Sequence, residues 1–178
     1  MKTYPHGWTV SKLKEFTGME GSGYNATLLR DGRPVAFVID DASGGPLNIQ
    51  WSDPCTESYD TVDYRGDPFV RRCTKEERLL LEYVATLPPR KVYDRELRVT
   101  DEWFVDDLVN DGFLLKQLRS LTNTKGKLAF VAADGRVYTI KGTDDVARRY
   151  VARKHPGSTV LNDLDELDAI AKMRPSGD

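Results

Sequence analysis

Cysteine and histidine are scarce in this chain, with two of each in 178 residues. Cys55 and Cys73 cannot complete a four-ligand zinc site between them, and neither His6 nor His155 has an HxxxH or CxxC neighbour. The thiols read as two free groups in a reducing compartment. No apolar run reaches the ~20 residues that cross a bilayer. The opening MKTYPHGWTV lacks the apolar centre of a secretory signal, so the cytoplasm is the expected location and no membrane association is expected. The net charge of -2 is too slight to mark the whole chain as a nucleic-acid binder. Parts for nucleophilic catalysis are also few: His155 precedes Pro156-Gly157 at an expected helix end, and neither cysteine has an activating setting. No catalytic residue, metal or cofactor is assigned on these grounds, and an enzyme is not the leading expectation.

What is present suits a globular protein with a solvated surface: 39% hydrophobic and 30% charged residues. The first half reads as an antiparallel meander. Trp8, Val10 and Phe16 share one parity of a first strand, with Lys12 and Lys14 between them, as suits a sheet edge. Tyr24, Ala26 and Leu28 share a face of the next. Asp31-Gly32 supplies a two-residue hairpin turn because both residues tolerate positive φ. Val35, Phe37 and Ile39 then alternate, and after Asp40 to Pro46 so do Leu47, Ile49 and Trp51. Ser52 to Cys73 shows no periodicity and reads as a long loop with Tyr59, Tyr64 and Phe69 scattered through it.

Helical signals follow. Thr74-Lys75-Glu76-Glu77 is a capping box ahead of an apolar stripe through Leu79, Leu80, Tyr83, Val84 and Leu87, which Pro88-Pro89 ends. Pro88 to Thr100 reads as a linker. Thr100 caps a second helix through Phe104, Leu108, Leu115 and Leu118, with a break expected at Asn110-Asp111-Gly112. The last part reads as a ββα unit: Lys127 to Ala133, a two-residue turn at Asp134-Gly135, Arg136 to Ile140, then a helix capped by Thr143. A short strand over Ser158 to Leu161 and a helix over Asp163 to Met173 close it. The fold class is therefore α+β: an N-terminal antiparallel β-meander packed on a helix, then a helix and a second ββα unit. The expected division is 1–88 and 89–178.

Charge is uneven. From Lys116 to Lys154 ten basic side chains oppose three aspartates, whereas Asp94 to Asp111 holds seven acids and two arginines. Arg136, Lys141, Arg148, Arg149 and Arg153, with Tyr138 and Tyr150 among them, are candidate anion-binding residues for a nucleotide or nucleic acid. Arginines near a helix C-terminus are also what the helix dipole favours. The loop Asp40, Asp41, Ser43, Gly44 and Gly45 is the second candidate. Its carboxylates suit a divalent cation and its amides a phosphate, the parts of a metal-dependent phosphoryl-transfer site. The same residues also make an ordinary hairpin connection, aspartates accepting backbone amides and glycines taking positive φ. Gly18, Gly21 and Gly23 give a GxxGxG spacing, but a strand follows, not the helix a dinucleotide cradle needs.

The runs Gly18-Met19-Glu20-Gly21, Gly23-Tyr24-Asn25-Ala26, Asp31-Gly32 and Ala36 to Gly45 (AFVIDDASGG), with Phe104 to Asp111 (FVDDLVND), resemble a family of uncharacterised proteins of bacterial genomes, plasmids and phages. The resemblance touches most of the chain except Ser52 to Cys73 and the tail. It implies a context, not a chemistry: small accessory proteins of mobile elements often act on host defence by occupying a host protein or sequestering a nucleotide. The leading expectation is thus a non-enzymatic binding protein whose partner is a bacterial host protein.

Overall fold

The computed structural model describes residues 4, 6–18, 21–62 and 67–174. Met19 and Glu20 of the run Gly18 to Gly21, and Tyr64, lie outside them. The chain forms two compact units, residues 3–109 and 110–178.

The first unit is built on a four-stranded antiparallel sheet, β1 (Trp8–Thr17), β2 (Ser22–Arg30), β3 (Arg33–Asp40) and β4 (Asn48–Trp51), in sequential order. β1 is an edge strand, where Lys12 and Lys14 are exposed. The β2–β3 turn holds Asp31 at φ 49° and Gly32 at φ 78°, the double positive φ of a type I′ hairpin. One face gathers Tyr24, Ala26 and Leu28 of β2 with Ala36 and Val38 of β3, all buried. Ile49 and Trp51 of β4 pair with Val38 and Ala36 on that face.

Phe37 departs from the expected alternation. The β2–β3 register slips between Leu28 and Leu29, so Val35 is an extra residue opposite the Leu28–Leu29 step and is buried together with Ala36. A bulge reverses the parity of everything beyond it. Phe37 therefore lies on the outer face beside Thr27 and Gln50, 41% exposed. A bulge at Lys12, φ 50°, does the same to β1: Trp8 is buried, but Phe16 turns outward.

Ser52 to Cys73 is not a structureless loop. β5 (Glu57–Val62) and β6 (Pro68–Cys73) form a hairpin of their own. Glu57, Tyr59, Thr61, Arg71 and Cys73 share its half-buried to buried face, while Ser58, Asp60, Val62, Pro68, Val70 and Arg72 are exposed on the other. The covered face is mostly polar, so no hydrophobic period marks its sequence. Helix α1 (Lys75–Ala85) follows, and Thr74 caps it: its hydroxyl accepts from the Glu77 amide (3.0 Å), and the Glu77 carboxylate accepts from the Thr74 amide (3.3 Å). Glu77 also pairs with Arg71 of β6 at 2.7 Å, and Arg71 reaches Asp101 at 3.2 Å. Burial draws the Arg71 guanidinium down, yet Asp101 and Glu77 together hold it above its ordinary value.

The expected linker is a small hairpin, β7 (Arg90–Val92) and β8 (Arg95–Leu97), turning at Tyr93 with φ 53°. Helix α2 (Asp101–Thr122) starts with the Thr100 hydroxyl accepting from the Trp103 amide (3.2 Å). It runs through Asn110-Asp111-Gly112 as one helix. Val105, Leu108 and Val109 just before that run and Leu118 after it are buried, and a mid-helix glycine's cost of about 1 kcal/mol is small beside such burial. The division between units falls within it, after Val109. In the first unit Tyr24 donates to Asp106 of α2 (3.2 Å), and Arg30 pairs with Glu76 of α1 (2.9 Å) while lying over the Trp8 ring. Both helices are thereby tied to the meander.

The second unit has a three-stranded sheet, β9 (Lys127–Val131), β10 (Val137–Lys141) and β11 (Thr159–Val160), in the order β10-β9-β11. The β9–β10 connection is longer than the expected two residues. Gly135 donates to Ala132 (2.9 Å) and Ala132 to Arg136 (2.9 Å), with Gly135 at φ 77°, a type I turn closed by a glycine bulge. Helix α3 (Asp145–Lys154) is capped by Asp144, not Thr143: the Asp144 carboxylate accepts from Ala147 (2.9 Å). A turn of 3-10 helix, Leu161–Asp163, leads to α4 (Glu166–Met173). β9 is covered twice. Leu128 and Phe130 pack with Ala147 and Val151 of α3. Ala129 and Val131 pack with Leu118 of α2 and with Ala169, Ile170 and Met173 of α4.

Candidate binding surfaces

The Asp40–Gly45 loop uses its carboxylates on itself. Asp40 accepts from the Ala42 amide (2.9 Å), and one Asp41 oxygen accepts from both the amide (3.0 Å) and the hydroxyl (2.6 Å) of Ser43. Those Ser43 bonds hold the Asp41 carboxyl below its usual range. Ala42 (φ 57°) and Gly44 (φ 72°) take the positive φ that the turn needs. Among the described residues no three His, Cys, Asp or Glu side chains gather where a metal could sit.

The signature glycines have a packing role at this loop. A Cβ on Gly18 would come within 2.6 Å of the Ala42 Cβ and 2.8 Å of the Asp41 carbonyl oxygen. One on Gly23 would meet the Asp40 carbonyl oxygen at 2.4 Å and the Phe16 ring at 2.8 Å. Both glycines let backbone approach backbone, and the Phe16 ring covers the bare Gly23 across the strand pair.

The five basic candidates do not converge. Arg148 is drawn to Asp163, which raises its guanidinium pKa. Arg149 Nε donates back to the Asp145 carbonyl (3.2 Å) and stands one turn before Arg153 on the exposed side of α3. Lys141 pairs with Lys127 at the end of β10 and, by strand alternation, lies on the sheet face away from α3. Arg136 is 78% exposed, with Asp134 as a distant partner at 3.9 Å. Arg149 and Arg153 share a face, while Arg136, Lys141 and Arg148 belong elsewhere.

One surface escaped the sequence reading, and a second was named only in part, through Tyr138 and Tyr150. The β5–β6 hairpin exposes Val62 (47%), Phe69 (45%) and Val70 (62%). Val62, Pro68 and Val70 share one face of it, around Asp60. Their β-branched and aromatic character was the only sequence signal, weak without a hydrophobic alternation. In the second unit Tyr138, Val146 and Tyr150 are exposed, and the Phe130, Tyr138 and His155 rings stack with centroids 4.9 to 5.9 Å apart.

Two small clefts lie among the described residues. A cleft of about 200 Å³ lined by Arg90, Val92, Trp103, Asp106 and Asp107 lies in the first unit, and one of about 150 Å³ beside Leu161 and Glu166 in the second. Both are below the ~300–1,000 Å³ of a typical small-molecule pocket. In the first cleft Arg90 and Asp107 already hold each other in a two-pronged ion pair. Beside it, burial and then the Asp106 charge push the Tyr24 phenol well above its ordinary pKa, so its proton is held, not shared. Comparison with family models, curated proteins and solved structures finds no match.

Proposed function

We propose that this is a non-enzymatic binding protein that acts by contact with another protein, through the β5–β6 hairpin of its first unit. The observation that carries the reading is the apolar exposure of that hairpin. Val62 and Val70 stand in water on the uncovered face of a two-stranded ribbon, and Phe69 is 45% exposed on its other face. Clustered exposed apolar side chains of this kind mark interaction sites. The resemblance to mobile-element proteins makes a bacterial host protein, including one of a defence system, the partner to seek.

The test compares tagged wild type with a Val62→Lys/Val70→Lys double variant, by quantitative mass spectrometry of proteins retained from a bacterial lysate. A protein held by the wild type and lost by the variant, with circular dichroism unchanged, supports the reading. Identical retained sets, or none, refute it. A second reading, a nucleotide or nucleic-acid binder using the basic C-terminal part, draws support from the exposure of Arg136, Lys141, Arg149 and Arg153. Its signature is oligonucleotide affinity that falls steeply with salt.

A further inference from the structure

Among the described residues of the second unit no strand pairs with the outer side of β10. β10 is the outer strand of β10-β9-β11, and its ladder with β9 is bracketed by two backbone bonds, Ala132 to Arg136 (2.9 Å) and Gly142 to Gly126 (2.7 Å). Antiparallel pairs alternate between bonded and non-bonded, so Tyr138 and Ile140 exchange bonds with β9. Val137, Thr139 and Lys141 therefore turn their amides and carbonyls outward. Donors and acceptors alternate along roughly 14 Å of edge.

An apolar shelf overhangs this edge. Arg148 pairs with Asp163, just beyond β11, so that flank of α3 faces the β11 side. The 3.6-residue period puts Val146 and Tyr150 on the other flank, above β10. They are 65% and 45% exposed, and Tyr138 below is 38% exposed. Basic groups surround the edge: Arg136 before β10, Arg153 and Lys154 at the end of α3, and Lys141 at the end of β10 on the opposite face of the sheet.

We infer that the β10 edge receives an extended, acidic segment of a partner protein as a fourth strand of this sheet. Strand addition supplies affinity through main-chain bonds and specificity through alternate side chains. Here apolar residues of the segment meet Tyr138, Val146 and Tyr150, and its flanking acids meet the basic frame. A nucleic-acid backbone fits the edge less well: phosphates only accept, so the outward carbonyls would find no donor. A second copy of the chain fits less well too. His155 stacks on Tyr138, so the end of α3 lies over the middle of β10. Two-fold pairing through Thr139 would bring Arg153 and Lys154 of both copies together.

The probe is a fluorescein-labelled peptide alternating valine with glutamate, read by anisotropy at physiological salt. Controls are the same peptide N-methylated at alternate residues, and oligo-dT. Saturable binding is expected, weakened about tenfold or more by N-methylation and by Thr139→Pro, since each removes backbone bonds at the edge. The Thr139 amide faces outward, so an edge proline is compatible with the monomer. The N-methyl control uses unaltered protein and decides the matter if Thr139→Pro fails to fold. Equal binding of the N-methylated peptide, tighter binding of oligo-dT, or no peptide binding overturns the inference. So does sedimentation at twice the 20.1 kDa chain mass that Thr139→Pro abolishes, which would assign the edge to self-pairing. The inference is independent of the hairpin reading: Val62→Lys/Val70→Lys leaves peptide binding unchanged, and Thr139→Pro leaves lysate retention through the hairpin unchanged.

Discussion

Replacing Glu77 by alanine tests the junction of β6, α1 and α2 in the first unit. Glu77 is 5% exposed and does two things: it accepts from the Thr74 amide, on a residue with no exposure, and it pairs with Arg71. Truncation leaves the Thr74 amide buried without its acceptor, a loss of about 1–3 kcal/mol. The ion-pair contribution is smaller, at most about 1 kcal/mol, because the Arg71 side chain is 37% exposed and keeps Asp101 at 3.2 Å. The expected destabilisation is thus about 1–4 kcal/mol, large against the ~5–15 kcal/mol of a typical domain. Glu77→Gln keeps an oxygen for the Thr74 amide and loses only the charge, so it should cost about 1 kcal/mol. Urea unfolding at pH 7 reads both. A Glu77→Ala loss under about 0.5 kcal/mol, or equal losses for the two variants, would refute the claim that the buried cap outweighs the ion pair.

Other expectations follow from the same geometry. Cys73 is fully buried, and burial, then Glu77 and Glu57, raises its thiol pKa. Ellman's reagent should titrate one thiol, the exposed Cys55, in the native protein at pH 8, and two after urea. Gly23→Ala drives a Cβ into the Asp40 carbonyl and should lower the melting temperature more than Gly32→Ala, which meets nothing within 4 Å and carries only the ~1–2 kcal/mol strain of positive φ. Ser43→Ala should raise the Asp41 pKa toward the ordinary carboxylate value in an NMR titration. Because the folded-state pKa of Asp41 is depressed, its contribution to stability is present above the unfolded value and fades as pH falls through the folded one. Ser43→Ala should flatten that acid limb.

Local chemistry was the legible part. The Thr74 box, the Thr100 cap and the Asp31-Gly32 turn follow from side-chain bonds and positive φ within four residues, and each is where the sequence puts it. The α+β class follows from them and from the alternation of β2. Parity past Val35 and Lys12 was not legible, because a bulge leaves no mark in composition yet reverses every later side chain. The β5–β6 hairpin was hidden for another reason: its covered face is built from Glu57, Tyr59, Thr61, Arg71 and Cys73, so burial alternates without a hydrophobic alternation to announce it. The basic candidates were legible as a list but not as a place. Only the strand parity of Lys141 and the Arg148–Asp163 pair show that they point apart.

The double cover of β9 has a consequence for synthesis. LAFV (Leu128–Val131) is buried on both faces, yet of the elements that enclose it only α2 precedes it; β10, α3, β11 and α4 are all translated afterwards. About 40 further residues must leave the ribosome before the last apolar surface is shielded. At ~5–20 residues per second that is a window of roughly 2–8 s. During it a naked apolar strand is on offer to chaperones, and to other nascent chains.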